Sequence, residues 1–346
     1  MKYCGVCHSD LHTAAAHLEG VMGAVEYPCV PGHELAGVVA EVGPKVTKFQ
    51  VGDHIGVGCM VDSCLACDKC KQGFEQKCSK QVGTYAGKDW SGRAATPGRK
   101  TTIGGYTTRM VVQEHFGIQI PKDYPLEMAG PVMCAGITMY DPLKVNGAKA
   151  GSKVGIVGLG GLGVMGVKIA KAMGCEAIAI SRAENKRSFA MESCGASGYI
   201  ASTIEEQRAK HENTFDIIIN TIPTDHDTTI YTKMLKPDGV HILLGLHASM
   251  FGAFILSKFT KQARVKMSGI GGIPNTQEVI DLCAKNKIYP EIELHPVTEL
   301  NRIYEKLDGS NDAGKRYVLD IERTLGEDTF QKPMGEATKL AHGNAQ

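Results

Sequence analysis

The 346-residue chain has almost no net charge: 38 Lys+Arg stand against 37 Asp+Glu, leaving +1. Without a field of one sign there is nothing to draw in a polyanion, so nucleic-acid and anionic-membrane partners are not expected. A secretory leader is not expected either, because residues 4–12 (Cys-Gly-Val-Cys-His-Ser-Asp-Leu-His) offer neither a basic start nor an apolar core. Long apolar runs are scarce. Gly239–Ser257 carries no formal charge, but His241, His247, two serines and three glycines interrupt it, and Val240–Leu244 reads as a buried strand, not part of a membrane span. There is no internal repeat. With 43% hydrophobic and 22% charged residues the chain is neither disordered nor fibrous, and its length suggests about two domains.

Cysteine is plentiful instead. Twelve are present, and four lie between positions 64 and 78. In a long chain this spacing reads as metal ligation in a reducing, cytoplasmic compartment, not as a disulfide frame. Residues 27–120 are short apolar runs broken by Gly and Pro, among them Gly37–Gly43, Val51–Val57 and Tyr106–Val112, which predicts an irregular all-β lobe. From Lys153 the pattern changes. Strand Val154–Val157, a helix over Gly163–Met173 ended at Gly174, and strands Glu176–Ser181, Asp216–Asn220 and Val240–Leu244 predict an α/β segment with a doubly wound parallel sheet. A helix at Thr276–Lys285 and strands at Glu291–Leu294 and Arg316–Ile321 follow. The polar residues after Arg323 are expected to form a loose tail.

Three constellations carry chemistry. Cys64-x2-Cys67-x2-Cys70-x7-Cys78 can wrap a tetrahedral Zn2+ in a closed, structural site; an iron–sulfur cluster is the alternative. Gly158-Leu159-Gly160-Gly161-Leu162-Gly163 follows one strand and opens a helix, the context in which such a loop cradles a dinucleotide pyrophosphate. The next strand ends not in an acidic residue but in Ser181-Arg182, followed by Lys186-Arg187. A hydroxyl and a guanidinium suit a 2′-phosphate, so NADP is favoured over NAD, although a solvated basic helix start would read the same way. The third set is scattered: Cys7, the pair His33-Glu34, and Cys134. A carboxylate, an imidazole and two thiols make a catalytic zinc set that keeps an exchangeable position. Cys175, Cys194 and Cys283 read as packing thiols; the loop aromatics Tyr85 and Trp90 could face substrate, but a loop aromatic is as often plain burial, and neither is placed in the site.

Cys4–His12, Pro31-Gly-His-Glu34, the four-cysteine lobe, Met133–Tyr140 and Gly158–Gly163 occur in that order. Together they resemble the zinc-dependent medium-chain alcohol dehydrogenases, in the cinnamyl-alcohol-dehydrogenase-like branch, from residue 1 to about 322. The resemblance implies a GroES-like β domain from residues 1–123 and 268–322, a Rossmann NADP-binding domain at 124–267, and a tail at 323–346. It also implies two zincs per chain, with Cys7, His33, Glu34 and Cys134 at the catalytic ion and the four-cysteine lobe at the structural one. Ser9 would accept the alcohol proton and His12 pass it to solvent. Asp10 would orient the ligand imidazole, and Ser268-Gly269-Ile270 would meet the nicotinamide carboxamide. The expected activity is NADP(H)-dependent interconversion of small primary alcohols and aldehydes, in the direction of aldehyde reduction, by a homodimer. Family members carry a sizeable stretch before the Cys-Gly-Val-Cys-His motif, so the chain reads either as having a misassigned start or as a shortened form. In the latter case a catalytically impaired zinc- and nucleotide-binding homologue is the competing reading. A zinc-free quinone or enone reductase shares the layout but has no use for the cysteine sets.

Overall fold

The computed structural model describes residues 1–17, 24–93, 98–245, 264–309 and 314–325. The chain divides into two compact units, Met1–Cys134 with Glu291–Gln346, and Ala135–Pro290. The sequence reading placed the changes after residues 123 and 267. Helix Leu126–Pro131 packs on strands of the first unit, and helix Ile273–Asn286 on helices of the second.

In the first unit the chain forms β1 (Tyr3–Val6), β2 (Leu35–Val38), β3 (His54–Val57), β4 (Met60–Asp62), β5 (Val82–Gly83) and β6 (Ile118–Gln119). The second unit holds β7 (Lys153–Val157), β8 (Glu176–Ser181), β9 (Gly198–Ala201), β10 (Phe215–Asn220), β11 (Leu235–Leu243) and β12 (Arg264–Met267). The chain then returns to the first unit with β13 (Glu291–Pro296) and β14 (Lys315–Asp320).

The first unit is built on a sheet of order β13-β14-β1-β2-β3-β6, antiparallel except for the β13–β14 pair, with β4-β5 as a separate ribbon. Cys4, Val6, Leu35, Val57, Tyr317 and Leu319 form its core. Only part of the expected strand Gly37–Gly43 exists, since β2 stops at Val38. Tyr106–Val112 forms no strand. Its apolar residues serve packing instead: Tyr106, Met110 and Val112 sit against the core while Val111 is 96% exposed.

The second unit is a fully parallel sheet of order β12-β11-β10-β7-β8-β9. The strand sequence reverses between β7 and β10, the switch point at which doubly wound sheets take ligands. Helix Gly161–Ala172 follows β7, within two residues of the expected bounds. The two edge strands escaped the sequence reading: β9 is four residues long, and β12 is Arg-Val-Lys-Met, whose charges hide it from an apolar-run search. Cys175, Cys194 and Cys283 are buried, and burial pushes the Cys283 thiol up to about 12, as expected of packing thiols. Of the uncharged stretch, Gly239–Leu243 lies in β11 between β10 and β12, and residues 246–257 fall outside the described part. Among the described residues no helix is long and apolar enough to cross a membrane. The short helix Ile321–Thr324, capped by Asp320, takes in the first two residues of the expected tail, and residues 326–346 lie outside the described part.

His241, on β11 between β10 and β12, is 1% exposed, and among the described residues neither ring nitrogen has a hydrogen-bond partner. Its ring meets Tyr231 edge-on. Burial, with a smaller contribution from His226, pushes it down to about 3. Below pH 6.5 the unfolded chain therefore takes a proton that the folded chain refuses, so stability is full above pH 6.5 and falls as the pH drops. The expected slope for this one group is about 1.4 kcal/mol per pH unit. Urea unfolding of His241→Leu between pH 6.5 and 4.5 should show that slope flattened; an unchanged acid limb would assign it to other groups.

Candidate metal and nucleotide sites

The four sulfur atoms of Cys64, Cys67, Cys70 and Cys78 lie within 4.8 Å of one another. The loop is wound to aim them. Leu65 takes a left-handed conformation, Cys67 caps the helix Asp68–Lys71, and the N–H groups of Cys67 and Lys80 donate to Cys64 and Cys78 Sγ, both at 3.3 Å. Backbone donors from Ala66 and then Cys67 pull Cys64 down to about 6, favouring the thiolate that a metal requires, while burial pushes Cys70 up to about 12. Buried Asp62 anchors the neighbouring loop through Arg93 Nη2 at 2.9 Å and Ser91 Oγ at 2.8 Å. Trp90 joins in by donating Nε1–H to the Lys80 carbonyl at 2.7 Å, with its ring against the Lys80 ammonium. It is 42% exposed, so it clamps the lobe from outside instead of filling a core.

Cys7, His33, Glu34 and Cys134 form a second set, again with donor atoms within 4.8 Å of one another, and all four are nearly or fully buried. Cys7 follows β1 and caps the helix His8–Ala14; His33 and Glu34 precede β2; Cys134 sits on a π-helical turn, Val132–Gly136. His33 Nε2 lies 3.1 Å from Cys134 Sγ, and its Nδ1 lies 3.1 Å from Asp10 Oδ1. Burial disfavours the imidazolium, but Asp10 and Cys59 outweigh it and lift His33 well above its ordinary value. Asp10 also accepts from Cys7 N at 2.8 Å, Gly32 N at 3.1 Å and the Tyr106 hydroxyl at 3.0 Å. Tyr85, set aside in the sequence reading, places its ring centroid 5.6 Å from that of His33.

Glu34 is fully buried. One carboxylate oxygen accepts from Arg316 Nη2 at 2.5 Å, and the other has no partner. Burial pushes its carboxyl up to about 7 against the pull of Arg316. A Cβ on Gly5 would come within 2.0 Å of the free oxygen, so only glycine leaves this space. A free, buried carboxylate oxygen beside two thiols and an imidazole fits a borderline divalent ion, as do the four sulfurs of the first set. Arg316 and Cys59, whose pKa is lowered by the contact of its thiol with Cys134, escaped the sequence reading. Neither sits in a motif.

Ser9 is exposed on the first turn of its helix, where its hydroxyl lies 3.8 Å from Cys7 Sγ. His12 is three residues on, and its Nδ1 faces His17 Nδ1 at 3.2 Å.

In the second unit Gly158 has φ +91°, and a Cβ on Gly163 would lie 1.8 Å from the Gly158 carbonyl, so the helix start can close on β7 only with glycine there. Leu159 is buried behind the loop, Gly161 and Leu162 are half-buried, and a Cβ on Gly160, the helix cap, would meet open space. This open helix N-terminus fits a pyrophosphate. Ser181 ends β8. Arg187 is committed to Glu184 at 2.6 Å and lies over Tyr199. Among the described residues no carboxylate pairs with exposed Arg182 or half-buried Lys186, and burial together with the Arg182 charge lowers the Lys186 pKa. Ser268-Gly269-Ile270 follows β12, held by Ser268 N to the Leu243 carbonyl at 3.1 Å, with open space over Gly269.

Residues 1–122 match the alcohol dehydrogenase GroES-like domain, and residues 161–285 the zinc-binding dehydrogenase domain. An NADP-dependent alcohol dehydrogenase C of Mycolicibacterium smegmatis is 44% identical over 92% of this chain and 88% of its own length. Cinnamyl alcohol dehydrogenase 2 of Rauvolfia serpentina is 42% identical over 93% and 87%. Among solved structures, the cinnamyl alcohol dehydrogenase of Helicobacter pylori, complexed with NADP(H), superposes with a TM-score of 0.80 at 39% identity, covering 94% of this chain and 90% of that one. The Sorghum bicolor enzyme superposes at 0.81 and 35%, over 93% and 89%. Two donor sets, a glycine loop at a sheet switch point and these relatives agree: the chain belongs to the zinc-dependent medium-chain alcohol dehydrogenases, in their cinnamyl-alcohol-dehydrogenase-like branch.

Proposed function

We propose that this chain interconverts primary alcohols and aldehydes by NADP(H)-dependent hydride transfer, with a catalytic zinc at Cys7, His33, Glu34 and Cys134 and a structural zinc at Cys64, Cys67, Cys70 and Cys78. The observation that carries the reading is the buried convergence of two thiols, an imidazole and a carboxylate whose second oxygen is free. Bound there, zinc supplies Lewis-acid polarisation of an alcohol or carbonyl oxygen, and NADP(H) carries the hydride.

The chain's own residues do the rest. Asp10 holds the Nδ1–H of His33, so the Nε2 lone pair is the one offered to the ion. Arg316 fixes one oxygen of Glu34 and leaves the other without a hydrogen bond, available to an ion. The Ser9 hydroxyl accepts the substrate hydroxyl proton, and His12, on the same helix, hands it to solvent. The glycine loop Gly158–Gly163 takes the pyrophosphate, Ser181, Arg182 and Lys186 the 2′-phosphate, and Ser268–Ile270 the carboxamide. Aldehyde reduction in the cytoplasm by a homodimer is the physiological form of this reading, and thiolate ligands suit that reducing compartment.

Cys134→Ser should retain one of two zincs by elemental analysis and lose about a thousandfold or more in kcat/KM for aldehyde reduction. Two zincs with undiminished turnover would remove Cys134 from the centre, and a wild-type chain with one zinc and no turnover would favour the impaired homologue. Arg182→Glu should raise the KM for NADPH by about a hundredfold, one charge-assisted contact replaced by repulsion, with little change for NADH. Equal losses with both cofactors would mean that Arg182 does not read the 2′-phosphate.

A further inference from the structure

Beyond helix His8–Ala14 the chain makes a turn that the proposed proton path does not explain. Ala16 has φ +56°, a left-handed conformation that a residue with a Cβ adopts at a cost. The turn folds His17 back, so that its N–H donates to the His12 carbonyl at 2.9 Å. The two rings then meet with centroids 5.5 Å apart and Nδ1 facing Nδ1 at 3.2 Å. Two neutral imidazoles can share only one hydrogen bond across that gap, and two imidazoliums repel. A cation between them takes a lone pair from each. Around a tetrahedral ion with metal–nitrogen bonds of about 2.0 Å, two ligand nitrogens stand about 3.3 Å apart, nearly the separation found here. Burial first, then the charges of His17 and His8, lower the His12 pKa, which favours the neutral form that ligates. The His8 ring is 6.2 Å from that of His12, but its Nε2 is committed to the Leu307 carbonyl at 2.7 Å.

We propose that His12 and His17 form a third metal site, separate from both donor sets above, which takes a borderline divalent ion such as Zn2+ through the two Nδ1 atoms with water in the remaining positions. Its effect on activity rests on the proton path proposed above. An ion at His12 Nδ1 occupies the imidazole that would hand the proton to solvent, so excess Zn2+ slows turnover without displacing the resident metals.

The test uses the zinc-loaded enzyme and free Zn2+ as the probe, in equilibrium dialysis and in steady-state assays from micromolar to millimolar ion. His17→Gln keeps a hydrogen-bonding group beside His12 but removes the ligand. The wild-type chain should take up one more Zn2+ than the variant, and the variant should need about tenfold more Zn2+, or higher, for half-inhibition. Basal turnover at stoichiometric zinc should be equal in the two. Equal uptake and equal inhibition in both chains would overturn the site. Uptake that needs His17 but leaves turnover unaffected would support the site and remove His12 from the proton path.

Discussion

The first unit depends on one buried carboxylate. Asp10 is fully buried, and the donors of three separate segments converge on it: Cys7 N from the helix cap, Gly32 N and His33 Nδ1 from the approach to β2, and the Tyr106 hydroxyl from a third loop. An ionised group in an apolar interior is tolerable only when its oxygens are saturated in this way. The same bonds fix the positions of the chemical groups. Asp10 holds the backbone of one sulfur donor and the ring orientation of the imidazole together, so Cys7 and His33 cannot move independently. Loss of any one donor leaves the carboxylate underpaired and loosens the others, which makes the network a positioning device as much as a source of stability.

The second unit reaches precision by removing side chains. At the switch between β7 and β10, glycine at 158 and 163 lets a helix start approach a strand end more closely than any Cβ permits. Thr221, just beyond β10, locks the arrangement by donating Oγ1–H to the Val157 carbonyl at 2.8 Å. Charge is arranged with similar economy after β8. Glu184 and Tyr199 engage Arg187, and among the described residues that leaves Arg182 and Lys186 without a carboxylate partner. A basic cluster read from sequence is thereby sorted by the fold into one surface ion pair and two cations left outside it.

What the sequence revealed and what it hid follow from the same distinction. Short-range patterns were legible: the four cysteines within fifteen positions, the glycine loop, and the β7–helix–β8 run, because the spacing of neighbouring residues is itself the structure there. Cys7, His33, Glu34 and Cys134 were legible only through their motifs, and the fold does bring their donor atoms within 4.8 Å. Arg316 was invisible, since nothing about one arginine in a strand says that it will meet a glutamate 282 positions earlier. Tyr106–Val112 misled for a related reason. A short apolar run predicts a buried strand, and Tyr106, Met110 and Val112 do pack inward, but a strand also needs a neighbour to take its backbone groups, and the run itself says nothing of that. The pairing of His12 with His17 was hidden by Ala16, a residue type that gives no warning of a left-handed turn.

The Glu34–Arg316 pair shows why burial of charge here serves position. A buried ion pair rarely stabilises a fold more than apolar residues of the same size would, and it does so only when every polar atom is matched. This pair is not so matched: a single contact joins Arg316 Nη2 to one Glu34 oxygen, while the second oxygen and Arg316 Nε are buried without partners. A side-on, two-bond arrangement would have satisfied both and left the carboxylate inert. Gly5 removes the side chain that would fill the space beside the free oxygen. Register carries the arginine to its place, because β14 pairs with β1 so that Val318 opposes Gly5 and Tyr317 opposes Val6, leaving Arg316 level with Cys7. The returning strand therefore completes the sheet and also holds a carboxylate half-engaged, with its second oxygen left unpaired in the space that Gly5 keeps open.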